Sequence, residues 1–156
     1  MRTRRLFVAV ICIASLGSPF AMHAQKRDEK SCRIEFNEPR QGSSVSGQGR
    51  ASGTATFPPG KHLWIFAHIQ GLALWWPQCG GPAQIDKDRW VCQVTYGQER
   101  DRGSDFEVAA VVLDDKDDTD MRNVIKGYEQ KGQYPGIELP PPTEGCPVTK
   151  VIVTRK

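Results

Sequence analysis

The stretch that decides the fold of this chain is HLWIFAHI, at residues 62–69. In an extended strand, successive side chains point to opposite faces of the sheet. Apolar side chains occupy both faces here, with Leu63, Ile65, Ala67 and Ile69 on one and Trp64 and Phe66 on the other. Such a strand must be covered on both faces, so we expect it to be central in its sheet or to lie beneath a loop.

Alternating stretches on both sides of this segment extend the strand pattern over most of the chain. They predict further strands at residues 33–37, 43–46, 51–57, 72–76, 89–96, 105–113 and 148–154. Segments rich in glycine and proline separate these stretches at intervals of about ten residues. This spacing predicts a mostly β fold, an antiparallel β-sandwich of about seven short strands.

One segment departs from the strand pattern and predicts a short helix before the last strand. After Thr119 the apolar residues follow helical spacing, at Met121, Val124, Ile125 and Tyr128. Either Asp118 or Thr119 is expected to cap the first turn of this helix. Residues 132–147 contain five prolines and are expected to form a loop that leads into the last strand.

The first 24 residues have the three-part layout of a secretory signal peptide. Three arginines among the first five residues precede an apolar run at residues 6–16, and the small residue Ala24 offers a cleavage point. The run is about half as long as a transmembrane helix requires. We therefore expect a protein that is periplasmic or secreted and not inserted in the membrane after cleavage. The predicted divisions are a signal peptide at 1–24, a polar tail at 25–32 and one β-sandwich domain at 33–156.

The cysteines after the leader are even in number: Cys32, Cys79, Cys92 and Cys146. Exported proteins keep disulfides, and four cysteines permit three pairings. We favour a local Cys79–Cys92 bond and a long-range Cys32–Cys146 bond. A zinc site is the alternative, but structural zinc sites usually bring their cysteines in close pairs, which this sequence lacks.

The charge balance argues against nucleic acid as a partner. The chain has 21 Lys and Arg against 18 Asp and Glu, and three of the arginines fall within the predicted leader. The remaining 132 residues carry equal numbers of basic and acidic side chains. Such a chain lacks the basic excess by which proteins displace counterions from a phosphate backbone.

The sequence contains no complete catalytic motif, and it predicts no metal ion or cofactor. His62 and His68 share a strand face about 20 Å apart, too far to hold one metal ion. Each is expected to be a solvated strand residue or the partner of a local carboxylate. The acidic run at residues 114–120 offers oxygen ligands of the kind that calcium takes. The same carboxylates also suit the N-terminal end of a helix, and we favour that interpretation.

Tryptophan supplies the best functional lead. All four tryptophans lie between residues 64 and 90, and Trp75 and Trp76 are adjacent. On an extended segment two neighbours point to opposite faces, so one of them is expected to face outward. Tryptophan is enriched at binding hot spots. We therefore predict a binding surface made of Trp75, Trp76, Pro77, Gln78 and His68.

Several short motifs along residues 34–154 carry a family resemblance. They are Gly53-Thr54-Ala55, Leu63-Trp64-Ile65-Phe66, Trp76-Pro77-Gln78, Trp90, Gly97 and Phe106-Glu107-Val108-Ala109-Ala110-Val111. Together they resemble a class of small bacterial exported immunoglobulin-like sandwich domains. The resemblance implies a sandwich fold and a solvent-facing place in the cell envelope or outside the cell. It implies no particular activity and no catalytic residues.

These observations favour a non-enzymatic binding domain of the bacterial cell envelope, whose partner is an envelope protein or a glycan. Two alternatives stay open. One is a cell-wall hydrolase that uses a carboxylate pair such as Glu99 and Asp101, which would have to face each other across a cleft. The other is a periplasmic inhibitor or immunity protein that presents the proline-rich loop at residues 134–142.

Overall fold

The computed structural model of the protein describes residues 31–156. The predicted signal peptide and nearly all of the predicted polar tail lie outside these residues. No helix within the described part of the chain combines the length and the apolar character that crossing a membrane requires.

Nine strands in two sheets make up most of residues 31–156. They are β1 (Arg33–Glu38), β2 (Ser44–Val45), β3 (Gln48–Thr56), β4 (His62–Ile69), β5 (Trp76–Pro77), β6 (Gln84–Asp86), β7 (Arg89–Thr95), β8 (Asp105–Leu113) and β9 (Thr149–Arg155). One sheet has the order β1-β3-β7-β6 and the other β2-β9-β8-β4-β5. All pairings are antiparallel except that of β2 with β9. The predicted mostly β, two-sheet architecture is confirmed.

The main hydrophobic core lies between the two sheets. The four-stranded sheet contributes Ala51, Trp90, Cys92 and Val94, and the five-stranded sheet contributes Leu63, Ile65, Val108, Ala110 and Val153. These residues alternate along their strands, as the sequence predicts for β4 and β7. Burial of each larger apolar side chain in such a core stabilises the fold by roughly 1.5–3 kcal/mol.

A second core lies on the other face of the five-stranded sheet, beneath the helix α1 (Asp115–Lys131) and the loop that follows it. Trp64 and Phe66 of β4 are completely buried there. Both faces of β4 are therefore covered, as predicted. The alternation predicted for β8 is confirmed, since Val108 and Ala110 lie in the main core, and Val111 and Leu113 on its other face are buried under the helix as well.

The helix begins earlier than the sequence predicts. Asp114 is the N-cap, and its side chain accepts a hydrogen bond from the backbone N–H of Asp117 at 2.9 Å. That bond holds the pKa of the Asp114 carboxyl below its ordinary value. The predicted caps, Asp118 and Thr119, are wrong, since both lie inside the helix. The helix ends at Gly132, whose φ of 62° is a left-handed conformation that glycine adopts without strain.

The strand predicted at residues 72–76 is also wrong. The chain turns after β4 at Gly71, which has a φ of 90°, and only Trp76 of that stretch enters a strand. The short strand β6 was not predicted, because its three residues are all exposed and show no apolar alternation. It pairs with β7 at the edge of the four-stranded sheet.

Both predicted disulfides are confirmed. Cys79 bonds to Cys92, 13 residues away, and Cys32 bonds to Cys146, 114 residues away. With all four thiols paired, the zinc alternative is excluded. Two disulfides in a chain of this size indicate an oxidising, extracytoplasmic environment.

Candidate functional site

A cleft of about 610 Å³ lies where the end of β4, the short strand β5 and the connection from β7 to β8 meet. Four of the five residues predicted as a binding surface line it, namely His68, Trp76, Pro77 and Gln78. The other lining residues are Ala67, Ile69, Leu72, Thr95, Gly97, Gln98, Arg100, Asp101, Phe106 and Tyr134. We refer to this site as the Trp76 cleft.

The two adjacent tryptophans lie on opposite sides of the segment, as the sequence predicts. Trp75 is only 6% exposed and packs in the second core, while Trp76 is half-buried and lines the cleft. Backbone hydrogen bonds between Trp75 and Ile137 attach this segment to the loop after the helix. Of the pair, Trp76 is therefore the indole that a ligand can contact.

His68 belongs to a buried network beneath the cleft. Its ring is stacked on Trp75 at 3.6 Å between centroids, and its Nε2 donates to a carboxylate oxygen of Glu107 at 2.9 Å. The Lys150 ammonium lies 3.4 Å from the same oxygen and 4.8 Å from the Trp75 ring centroid. The hydrogen bond from His68 lowers the pKa of the Glu107 carboxyl, and Lys150 lowers it further. His68 thus pairs with a carboxylate and fixes the position of Trp75.

Gln78 holds the wall of the cleft in place. Its side-chain Oε1 accepts a hydrogen bond from the backbone N–H of Thr95 at 2.8 Å, and its Nε2 donates to the carbonyl of Trp76 at 2.9 Å. The next residue, Cys79, is bonded to Cys92. These links attach the Trp76–Pro77 segment to β7 in the opposite sheet. Gln78 is 8% exposed, so its contribution to the cleft is to position Trp76 and Pro77.

Exposed apolar side chains border the Trp76 cleft. Within residues 31–156, four large hydrophobic side chains are strongly exposed, and three of them are Leu72 at 47%, Leu74 at 42% and Tyr134 at 62%. A β-carbon at Gly136 would lie 2.7 Å from Leu74 and 3.0 Å from Trp76, so glycine is required for this loop to approach the wall. We call Leu72, Leu74 and Tyr134 the apolar rim. The sequence analysis predicts Leu72 and Leu74 within a strand at residues 72–76, so it does not predict their exposure.

The opposite end of the cleft is polar. Asp101 lies in a 3₁₀ turn, Glu99–Asp101, and accepts a hydrogen bond from the backbone N–H of Gln98 at 2.6 Å. Arg100 has an 80% exposed side chain, with its Nε 3.9 Å from Asp101. Glu99 pairs with Arg102 and Arg155 and does not line the cleft. Of the described residues that line it, Asp101 alone carries a carboxylate, so the cleft does not bring together the predicted pair.

The acidic run at residues 114–120 serves the helix. Asp118 is buried and accepts hydrogen bonds from the Trp64 indole at 2.8 Å and from Arg122 at 2.7 Å. Asp120 pairs with Lys116. Across residues 31–156 no group of three or more His, Cys, Asp or Glu side chains is arranged to hold a metal ion.

The proline-rich loop is anchored to the sheet rather than extended from it. Ile137 bridges to Trp75, and Leu139 packs in the second core. The Trp76 indole donates to the carbonyl of Tyr134 at 2.8 Å. Tyr134 therefore projects from the start of the loop and joins the apolar rim.

Comparison with known proteins finds no family model that matches this chain and no curated protein with significant sequence similarity to it. The class is accordingly defined by the structure, as a disulfide-bonded two-sheet β-sandwich with one covering helix. Its candidate site is a mainly apolar cleft at the edge of the sandwich.

Proposed function

We propose that this protein is an exported immunoglobulin-like binding domain of the bacterial cell envelope. It holds a protein or glycan partner in the Trp76 cleft and catalyses no reaction. The observation that carries the proposal is the position of the exposed apolar side chains: Leu72 and Tyr134 line the cleft beside half-buried Trp76, and Leu74 lies next to Gly136 at its wall. Exposed apolar patches of this kind mark interaction sites in soluble proteins.

The side chains that line the cleft are better suited to ligand binding than to catalysis. His68 and Asp101 line the cleft, yet His68 Nε2 is bonded to Glu107, and Asp101 accepts a backbone hydrogen bond. Hydrolysis of a glycosidic bond needs two facing carboxyl groups, and Asp101 faces no second carboxylate among the described residues that line the cleft. The lining thus offers contact surface rather than an acid–base pair.

The disulfides and the predicted leader support the proposed cellular compartment. The disulfides require an oxidising compartment, and the leader at residues 1–24 is predicted to direct export. Together they support a protein that works in the periplasm or outside the cell. An inhibitor or immunity protein is a special case of this proposal, because Tyr134 brings the start of the proline-rich loop to the same surface.

Binding assays with rim variants test the proposal. Wild-type protein is compared with Leu72→Ser, and Ile85→Ser is the matched control, because Ile85 is 40% exposed and lies on the other sheet. Each is screened against a random peptide library displayed on phage and against an array of bacterial cell-wall glycans. We expect ligands whose binding Leu72→Ser weakens about tenfold and Ile85→Ser leaves unchanged. Equal binding by all three proteins would place the site elsewhere.

A further inference from the structure

Most polar atoms next to Trp76 are bonded within the protein, and His68 Nδ1, which has no partner among residues 31–156, is buried and so out of a ligand's reach. The Trp76 indole N–H donates to Tyr134, the Gln78 amide links Trp76 to Thr95, and His68 Nε2 donates to Glu107. A sugar-binding site stacks the sugar on an aromatic ring and also needs free polar groups to bond its hydroxyls. The wall of the Trp76 cleft therefore offers mainly apolar surface to a ligand.

The apolar rim also offers mainly apolar surface to a ligand. Leu72 and Leu74 are aliphatic and carry no polar atom on their side chains, while Phe106 and Ile69 extend the apolar surface into the cleft. The centres of protein–protein interfaces are apolar and surround a few large anchoring side chains. A volume of about 610 Å³ is large enough to receive such a side chain together with part of its backbone.

The far end of the cleft carries an exposed guanidinium beside a mostly buried carboxylate. Both Arg100 and Asp101 line it, but the Asp101 side chain is only 18% exposed and accepts a backbone hydrogen bond. The Arg100 side chain is 80% exposed, and its nearest carboxylate contact is long, at 3.9 Å. A guanidinium placed in this way is free to pair with a carboxylate of the ligand.

We infer that the Trp76 cleft binds a segment of a partner protein that places a large apolar side chain against Trp76 and a carboxylate against Arg100. This inference rests on the proposed function and narrows its partner from a protein or a glycan to a protein. The apolar anchor supplies most of the affinity, because the cleft removes it from water. Arg100 selects for an acidic residue and accelerates association.

The test uses peptides selected from a random library on phage against the mature wild-type protein. We expect the selected peptides to share a large apolar residue within a few positions of Asp or Glu. One synthetic peptide of this consensus is then titrated by fluorescence into wild-type protein and into Arg100→Glu. Arg50→Glu is the matched control, because Arg50 is also exposed but lies in the four-stranded sheet.

The charge reversal at Arg100 should weaken the peptide about tenfold at low salt, and less at high salt, while Arg50→Glu binds as wild type does. Replacing the acidic residue of the peptide by its amide should weaken binding to wild-type protein, because the attraction to Arg100 is lost. It should not weaken binding to Arg100→Glu, where the amide removes the repulsion between two carboxylates. Circular dichroism and thermal unfolding of both variants verify that each is folded.

Each of the following results would overturn the inference. Arg100 would not select for an acidic residue if the selected peptides lacked Asp and Glu. The same would follow if the peptide bound Arg100→Glu as tightly as wild type. A cell-wall glycan that competes for the cleft, with no peptide selected, would refute the inference but leave the proposed function standing. Self-association that Leu72→Ser abolishes would assign the cleft to a second copy of this chain. If no peptide and no glycan binds at the cleft, the proposed function fails as well.

Discussion

Tyr96 directly follows β7 and is completely buried in the main core. Its ring meets that of Phe106 edge to face, with 5.9 Å between centroids. Its hydroxyl finds no hydrogen-bond partner among residues 31–156. The substitution Tyr96→Phe removes this one oxygen atom and leaves the aromatic packing intact. It therefore measures the cost of burying the unpaired Tyr96 hydroxyl.

The expected effect at neutral pH is stabilisation. A buried polar group without a partner costs about 1–3 kcal/mol, because it leaves its hydrogen bonds to water behind on folding. The unfolded chain keeps those bonds, so phenylalanine avoids the cost. We expect Tyr96→Phe to raise the free energy of unfolding by about 1–2 kcal/mol at pH 7.

The difference should grow at alkaline pH. Burial raises the pKa of Tyr96 from 10.0 to about 12. Above pH 10 the tyrosine ionises in the unfolded chain while it stays neutral in the folded protein, so the wild type loses stability as the pH rises towards 12. At about 1.4 kcal/mol for each pKa unit, the full loss from this group approaches roughly 3 kcal/mol. Tyr96→Phe has no such group and escapes this part of the loss.

Urea unfolding followed by tryptophan fluorescence measures both effects, at pH 7, 10 and 11. Tyr134→Phe is the control, because Tyr134 is 62% exposed and should behave as the wild type at every pH. Other groups that titrate above pH 9 contribute equally to all three proteins and cancel in the comparison. If Tyr96→Phe is less stable than wild type at pH 7 and loses stability just as fast at high pH, the reasoning is refuted.

Two further predictions concern the helix and the cleft wall. Asp118→Asn should lower the free energy of unfolding by about 1–3 kcal/mol, because the single amide oxygen cannot accept hydrogen bonds from both the Trp64 indole and Arg122. Urea unfolding measures the effect, and a change below about 0.5 kcal/mol would contradict the prediction. Replacing both Cys79 and Cys92 with alanine should lower the free energy of unfolding by about 3 kcal/mol, by the loop-entropy relation. It should also weaken peptide binding at the cleft, because that disulfide holds the residues after Pro77 to β7. Peptide affinity equal to wild type would show that the wall holds its position without the bond.

Local sequence pattern was sufficient for much of the fold. The bounds of β4 and β8 were predicted correctly, because long stretches with period-two apolar positions allow few other interpretations. The even number of cysteines predicted two disulfides and left three pairings, of which the favoured one is present. The second buried face of β8 was missed, since its cover is a helix later in the chain, and no local pattern reveals which sheet face a helix will occupy.

The candidate site was predicted only in part. Trp76 and Pro77 were identified from an unusual pair of indoles, and the structure places both in the cleft wall. Leu72 and Arg100 were missed as cleft residues, because an isolated leucine or a turn arginine gives no signal until its neighbours in space are known. Gln78 was expected to contact a ligand, whereas its amide is occupied in joining the cleft wall to the opposite sheet.

What the amino-acid sequence determined by itself is the strand-rich fold, the even number of cysteines and the opposite orientation of Trp75 and Trp76. These depend on residues that are close in sequence or on simple counting, whereas the choice among three cysteine pairings was settled by the fold. Only the tertiary structure brought Trp76, Arg100 and Tyr134 to one cleft, because contacts between distant segments depend on how the two sheets and the helix pack. It also decided which polar atoms of that cleft are already bonded, and hence which of them a ligand can use.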